Sequence, residues 1–277
     1  MSKITKLQLQ EKFDLLHTKI LEKLKTNTIS DNATRWLDGM INFFESKTYI
    51  SSNFDDILWF FLNGLSVNNK ILDFGAGGGY ITYLISCDIY EVSAYEYDGD
   101  WTDQKFDKND YVAAFSFVYK TINEIDDKIK FNFYKDFPLN EKSESYDGII
   151  LYAVIEHIDS EIESAVFGEF RRLLKPGGFL YIAKLPRAFS YQEYIARLFK
   201  LGYHSTLFTK KKINKLLNKY GFEMIKIEKS GMFFNHPNKI TNLFFPITSR
   251  LERILKYTPL SFFSHDYRII ARKKEKI

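Results

Sequence analysis

Three glycines at alternate positions, Gly75, Gly77 and Gly79, fall in the run Lys70-Ile71-Leu72-Asp73-Phe74-Gly75-Ala76-Gly77-Gly78-Gly79-Tyr80. The run opens as a short apolar strand and ends on an acid before it breaks into glycine. Without a Cβ, glycine takes positive φ and lets backbone approach a ligand closely. A helical pattern follows at once, through Tyr80, Ile81, Tyr83, Leu84 and Ile85. A helix start of this kind offers unpaired N–H groups and a positive dipole end, so the stretch predicts capture of a nucleotide-like ligand. A dinucleotide site needs Gly-x-Gly-x-x-Gly, with a small third residue for tight helix packing. Counting from Gly75 or from Gly77 puts Tyr80 or Thr82 at that place, which argues against a nicotinamide dinucleotide. Further on, Glu91 to Asp98 reads as a second strand ending in acids. A carboxylate about twenty residues past such a turn accepts hydrogen bonds from ribose hydroxyls, with Glu96 the first candidate and Asp98 the second.

The pattern Asp-x-Gly-x-Gly-x-Gly at 73–79 resembles the class I S-adenosylmethionine-dependent methyltransferases. Two later stretches extend the resemblance. Val154-Ile155-Glu156-His157-Ile158 is similar to the Val-Leu-Glu-His-Ile that follows strand four in that family, and Lys175-Pro176-Gly177-Gly178 to the turn before strand five. The resemblance implies S-adenosylmethionine as cofactor. Gly75, Ala76, Gly77 and Gly79 would hold its methionine portion, and Asp73 would orient the loop and the amino group. Glu96 and Tyr97 would meet the ribose. A shortened form of the family's Asp-x-x-x-Leu-Pro leaves Asp136, or a stacking Phe137, for the adenine. Tyr152 and Ala153 would line the donor near its sulfonium.

Methyl transfer is an in-line displacement, which asks the protein mainly for alignment and a dry pocket. A hydroxyl acceptor also needs a base. His157 is the leading candidate, because an imidazole titrates close to working pH. Tyr203 and His204 stand second, on a loop that would face the acceptor. The competing structural reading has His157 only starting a helix. No zinc-spaced cysteines, Gly-x-Ser-x-Gly or Walker pattern occurs, and no metal ligand is assigned.

The elements that would position these residues follow from periodicity. Leu9, Phe13, Leu16, Ile20 and Leu24 share one helical face. A second helix carries Trp36, Leu37, Met40, Ile41, Phe43 and Phe44; a third is expected to start at Asn53 as cap and stop at Gly64. After the second strand, a helix from about Tyr111 to Ile122 leads to a strand at Ile129–Tyr134. The apolar run through Ile149, Ile150 and Leu151 suits a central parallel strand. Ser160 and Glu163 form a capping-box pair ahead of the next helix. A fifth strand is expected at Phe179–Leu185, a helix at Lys210–Tyr220, a sixth strand at Phe222–Glu228 and a last at Tyr267–Arg272. The resemblance implies an α/β architecture, a Rossmann-like doubly wound sheet of seven strands with the last antiparallel. It would comprise an N-terminal helical cap over 1–66, a donor-binding core over 67–230, and a lid-like insertion with the final strand over 231–277. In the insertion, apolar residues mix with Arg250, Arg253 and Lys256, which suits a lid or, through 240–257, an amphipathic helix on a membrane surface. Pro246 is expected to interrupt it, which favours the lid.

Composition narrows the classes. The chain has 277 residues, 45% of them hydrophobic, with 26 Phe and 18 Tyr. That is enough for a substantial core and an aromatic-lined pocket. Thirty-nine basic residues against 35 acidic give a net charge of +4, too even to argue for nucleic acid. A single cysteine, Cys87, excludes an internal disulfide, fits a reducing cytoplasm and reads as packing. Charges at Lys3, Lys6, Glu11 and Lys12 leave no apolar signal region. The leading expectation is O-methylation of a small-molecule or glycan-type acceptor. An RNA or protein methyltransferase would need a basic face built on Lys210–Lys212 and Lys273-Lys274. A non-catalytic donor-binding module would lack the acceptor pocket.

Overall fold

The computed structural model of the chain describes residues 4–26, 29–66, 68–86, 89, 91–98, 108–200, 204–233 and 239–275. They form two compact units, 1–136 and 137–277.

The first unit runs α1 (Lys6–Thr26), α2 (Asp31–Phe44), α3 (Lys47–Leu62), β1 (Lys70–Phe74), α4 (Tyr80–Ile85), β2 (Glu91–Tyr97), α5 (Lys108–Asn123) and β3 (Lys130–Tyr134). β1 pairs parallel with β2, and β2 with β3. α1 buries Leu9, Phe13, Leu16 and Ile20, as their spacing requires. α3 starts seven residues earlier than the sequence suggests. Its cap is Ser46, whose hydroxyl accepts from Tyr49 N–H at 3.2 Å, so Asn53 is not a cap. Burial of Ile50, Phe54, Ile57 and Phe60 outweighs the weak helix preference of the Ser51-Ser52-Asn53 stretch. Asn53 is instead buried, and its amide donates to the Tyr80 hydroxyl at 2.7 Å, which also bonds Tyr49 Oη at 2.6 Å.

The second unit contains β4 (Tyr146–Tyr152), a 3-10 turn at Ile155–His157, α6 (Glu163–Leu173), β5 (Leu174–Pro186), α7 (Tyr191–Leu198), α8 (Lys210–Lys219), β6 (Phe222–Ser230), α9 (Lys239–Leu255), a 3-10 turn at Pro259–Phe263 and β7 (Asp266–Lys273). β4 and β5 are parallel, and β7 runs antiparallel to both β5 and β6. The strand order is β3-β2-β1-β4-β5-β7-β6, the Rossmann-like seven-stranded sheet expected from the sequence. Three details differ. Ser160 and Glu163 make no capping box: Ile162 caps α6 without a side-chain bond, and Glu163 is held by Lys219 Nζ and Tyr220 Oη at 2.8 Å each. Lys175 to Gly178 belongs to β5, where the pairing with β4 shifts register between Tyr146 and Gly148. Pro246 does not interrupt α9: it lies inside the helix, at an exposed position.

Two glycines test the packing. A Cβ on Gly79 would lie 2.6 Å from Phe131 Cε1 and 2.9 Å from Tyr119 Cε1, at φ +74. Those two rings stack at 4.1 Å. Gly168 lies inside α6 with nothing within 4 Å of its Cβ position. Denaturant titration should show Gly79→Ala losing about 2–4 kcal/mol. The same measurement should show Gly168→Ala gaining about 0.5–1 kcal/mol.

Candidate active site

In the first unit the glycine turn is held through its own peptide groups. Gly75 and Ala76 N–H both donate to Tyr95 O, at 2.8 and 3.2 Å. Gly77 N–H donates to Glu96 Oε2 at 2.6 Å, and Tyr119 Oη donates to Gly77 O at 2.5 Å. The Tyr111 hydroxyl donates to the other Glu96 oxygen. Gly77 has φ +53 and nothing within 4 Å of its Cβ position, so the backbone there is open to a ligand. Below the turn, Asp73 Oδ2 accepts from Thr82 Oγ1 at 2.6 Å, while its buried Oδ1 has no hydrogen-bond partner. Desolvation pushes the Asp73 carboxyl up to about 7; the Thr82 bond opposes this and the Glu96 charge adds to it. Glu96 is also raised by burial, against the pull of its Tyr111 and Gly77 bonds. A buried acidic floor with one orphaned oxygen, under an open glycine, fits a small ligand carrying a positive charge and a compact polar end.

The neighbours complete this picture. Tyr97 is half-buried, its ring 5.5 Å from that of Tyr134. Asp98 pairs with Lys108 at 3.3 Å and Lys135 at 3.9 Å, which suits a surface acid better than a ribose ligand. Asp136 is exposed. Met40 Sδ of α2 sits 2.6 Å from where a Cβ on Gly78 would be, so the N-terminal helices bear directly on the turn.

In the second unit, β4 delivers a half-buried Tyr152 and then Ala153 at φ 54. Lys184, next to the Ala183 carbonyl that accepts Ala153 N–H, has φ 56. Left-handed backbone at two non-glycine residues is strain of the sort that gathers at functional sites. Phe137 is half-buried at the start of this unit. Three imidazoles and two carboxylates follow. His204 Nδ1 lies 2.6 Å from Glu193 Oε1, and His204 N–H donates to Glu193 Oε2 at 3.1 Å. A carboxylate only accepts, so the proton in this bond sits on Nδ1. His265 Nδ1 meets Ser190 Oγ at 2.9 Å, and its Nε2 faces Glu193 at 3.8 Å and Asp266 at 3.7 Å. The His157 ring lies 6.2 Å from that of His204. Partial desolvation, then His204, lowers the His157 pKa, so this imidazole is neutral at pH 7. Glu193, His204 and His265 present ligand atoms within 4.8 Å of one another, a set able to hold a divalent metal as well as to relay a proton.

Residues 46–227, more than half of the chain, match the family model of a methyltransferase domain. The chain belongs to that family. Its donor is therefore S-adenosylmethionine, and the acidic floor and open turn suit that cation. No curated protein sequence matches significantly. Solved structures agree on the fold. A protein from Galdieria sulphuraria, described as a candidate sarcosine dimethylglycine methyltransferase, is 16% identical with a TM-score of 0.54, covering 83% of this chain and 88% of its own. A SAM-dependent methyltransferase from Methanosarcina mazei is 18% identical with a TM-score of 0.52, covering 78% and 98%. A Thermotoga maritima enzyme, described as a candidate histamine N-methyltransferase, is 15% identical with a TM-score of 0.52, covering 80% and 90%. Among the described residues, no helix of this methyltransferase is long and apolar enough to cross a membrane.

The sequence-predicted residues of the methyltransferase are thus distributed. Asp73, Gly75, Ala76, Gly77, Gly79 and Glu96 come together in the first unit; His157 and His204 come together in the second. Tyr203 and Cys87 lie outside the described residues. Sequence reasoning missed Glu193, His265 and Asp266. One signal was there: Ser190-x-x-Glu193 is a capping-box pattern announcing α7. Ser190 Oγ does accept Glu193 N–H at 3.2 Å, but the carboxylate turns to His204 instead of back to the cap.

Glu156 of the 3-10 turn is buried with neither carboxylate oxygen hydrogen-bonded. Desolvation, then the Asp266 charge, pushes it up from 4.5 to about 8. The folded state therefore holds a proton that the unfolded state releases between those values. This group's contribution to stability is full below about pH 4 and lost as pH rises to about 8. Glu156→Gln should unfold at nearly the wild-type temperature at pH 4.5. At pH 8 it should be the more stable of the two, by on the order of a few kcal/mol. Calorimetry across that range reads the difference directly.

Proposed function

We propose that this methyltransferase methylates a hydroxyl oxygen of a small-molecule or glycan-type acceptor. The observation that carries the reading is the hydrogen bond between Glu193 and His204 Nδ1, which leaves Nε2 to take a proton. An oxygen acceptor must shed its proton as the new bond forms, and a carboxylate-oriented imidazole is suited to receive it. Glu193 holds the ring and stabilises the imidazolium; His265, bonded to Ser190, completes the polar wall. The strained exit of β4 at Ala153 supports a placement role for Tyr152 and Ala153.

On the donor side, Asp73 Oδ1 would receive the amino group of the donor, with Gly75, Ala76 and Gly77 along its methionine portion. Glu96 has its oxygens engaged by Gly77 and Tyr111, yet each oxygen has a second lone pair for a ribose hydroxyl. Bound S-adenosylmethionine supplies the methyl group on a positively charged sulfur.

A nucleic-acid acceptor is less well supported. Lys212 Nζ bonds Leu207 O at 3.0 Å and lies over the Phe208 ring, and buried Lys273 bonds Leu174 O at 2.5 Å. Those cations serve the fold. The amine acceptors named for the Galdieria and Thermotoga proteins come with a likeness of fold alone, and N-methylation is the alternative to test.

With a panel of hydroxyl and amine acceptors and methyl-labelled donor, label should appear in a base-stable ether. His204→Ala should lower kcat by about a hundredfold or more while donor affinity stays within about twofold. Activity should survive EDTA, because the relay needs no metal. A methylated amine, or turnover indifferent to His204, would overturn the reading; loss of activity in EDTA would move the cluster to a metal role. Donor capture has its own test. An ion pair with an ammonium would lower the Asp73 pKa, so titration calorimetry in buffers of different ionisation enthalpy should detect release of about half a proton per donor at pH 7. Asp73→Asn should abolish that release and weaken binding by about tenfold or more.

A further inference from the structure

α9 is turned inside out. Its apolar residues Ile240, Leu243, Phe244, Ile247, Leu251 and Ile254 recur at helical spacing, and all are exposed, Leu243 at 73% and Ile240 at 69%. None of the helix's residues is fully buried. The side facing the protein is largely polar: Thr241, Asn242, Thr248 and Ser249 are half-buried beside Phe245 and Leu255, and Glu252 accepts Met232 N–H at 2.8 Å. A helix that merely covers a core does the opposite, with its apolar stripe inward.

The surface continues beyond α9. The 3-10 turn at 259–263 exposes Leu260 and Phe262, and Phe262 stacks on the exposed Phe189 at 4.9 Å. The turn is rigidly held. The buried Arg187 guanidinium donates to the carbonyls of Ser261 at 3.1 Å, Ser264 at 2.7 Å and Phe262 at 2.9 Å. Six exposed apolar side chains on one helix face, with these aromatics, make an apolar surface of the kind that marks an interaction site.

Charge selects the occupant. Glu252 is the helix's sole acid, and it points inward, whereas Arg250 and Arg253 are exposed beside the apolar stripe. Two-fold pairing along α9 would bring two arginine-bearing faces together, with no outward acid on either helix to meet them. An anionic lipid surface answers both features, because it takes apolar side chains into the acyl boundary and cations among its headgroups.

We propose that α9 and the turn at 259–263 form a peripheral docking surface for anionic membranes. The proposal is independent of the acceptor and of the proton-relay assignment. The full-length protein should co-sediment with vesicles containing about one third phosphatidylglycerol and far less with pure phosphatidylcholine. Leu243→Glu with Phe244→Glu should lower vesicle partitioning by about tenfold or more. Arg250→Glu with Arg253→Glu should give a similar loss on anionic vesicles only. Both variants change exposed residues, so circular dichroism and donor affinity should match wild type. Absence of vesicle binding would overturn the proposal, as would partitioning indifferent to both variants. A concentration-dependent dimer that dissolves in the Leu243/Phe244 variant while vesicles are ignored would assign the face to a second copy instead.

Discussion

Two carboxylates, Asp73 and Glu96, lie buried at the tips of adjacent parallel strands under one glycine turn. In a low-dielectric setting, neither charge is tolerated without donors, and each opposes the other. The surrounding structure supplies those donors unevenly. Glu96 receives the Gly77 N–H and the Tyr111 hydroxyl, whereas Asp73 receives only Thr82. Pulling Gly77 N–H toward Glu96 shapes the turn, and Tyr119 holds the same peptide from its carbonyl side. The turn therefore stands over one carboxylate with an unpartnered oxygen, the feature on which the proposed seat of the donor's amino group rests.

The residue that breaks the dinucleotide pattern explains the N-terminal helices. Tyr80 occupies the place where a dinucleotide fold wants glycine. Its ring lies 5.1 Å from Phe44, and its hydroxyl bonds Asn53 and Tyr49. A large side chain there reaches off the sheet and ties α2 and α3 to the helix that begins at the turn. With Met40 against Gly78, the added helices and the donor loop form one packed body. The departure from one motif is thus the contact that makes room for another layer.

What could be read in advance was what local periodicity and turn chemistry encode. The glycine turn, the strand and helix alternation and the buried stripe of α1 all stand near where the residues imply, while the antiparallel last strand came only with the family resemblance. Reading failed where tertiary contacts overrode local preference. Asn53 is a good cap by type, yet the apolar residues from Ile50 to Phe60 extend α3 through it. Ser160 and Glu163 have capping-box spacing, but Lys219 and Tyr220 claim the acid. The Glu193, His204 and His265 cluster was out of reach for a further reason. Its members belong to α7, the loop before α8 and the entry to β7, and nothing local records that those segments meet.

The two unassigned features of the second unit share one support. Arg187 is almost fully buried, lies over the Tyr267 ring at 4.7 Å and ends its guanidinium on the carbonyls that close the 259–263 turn. A buried guanidinium without such acceptors would cost several kcal/mol, so the turn and the arginine fix each other. On the outer side of that arrangement stand Phe262 and its stack with Phe189. On the inner side, Arg187 N–H donates to His265 O at 2.8 Å, which sets where the His265 ring enters the cluster with Glu193 and His204. The chain has thus placed a rigid cationic strut between a group suited to moving a proton and a face suited to docking.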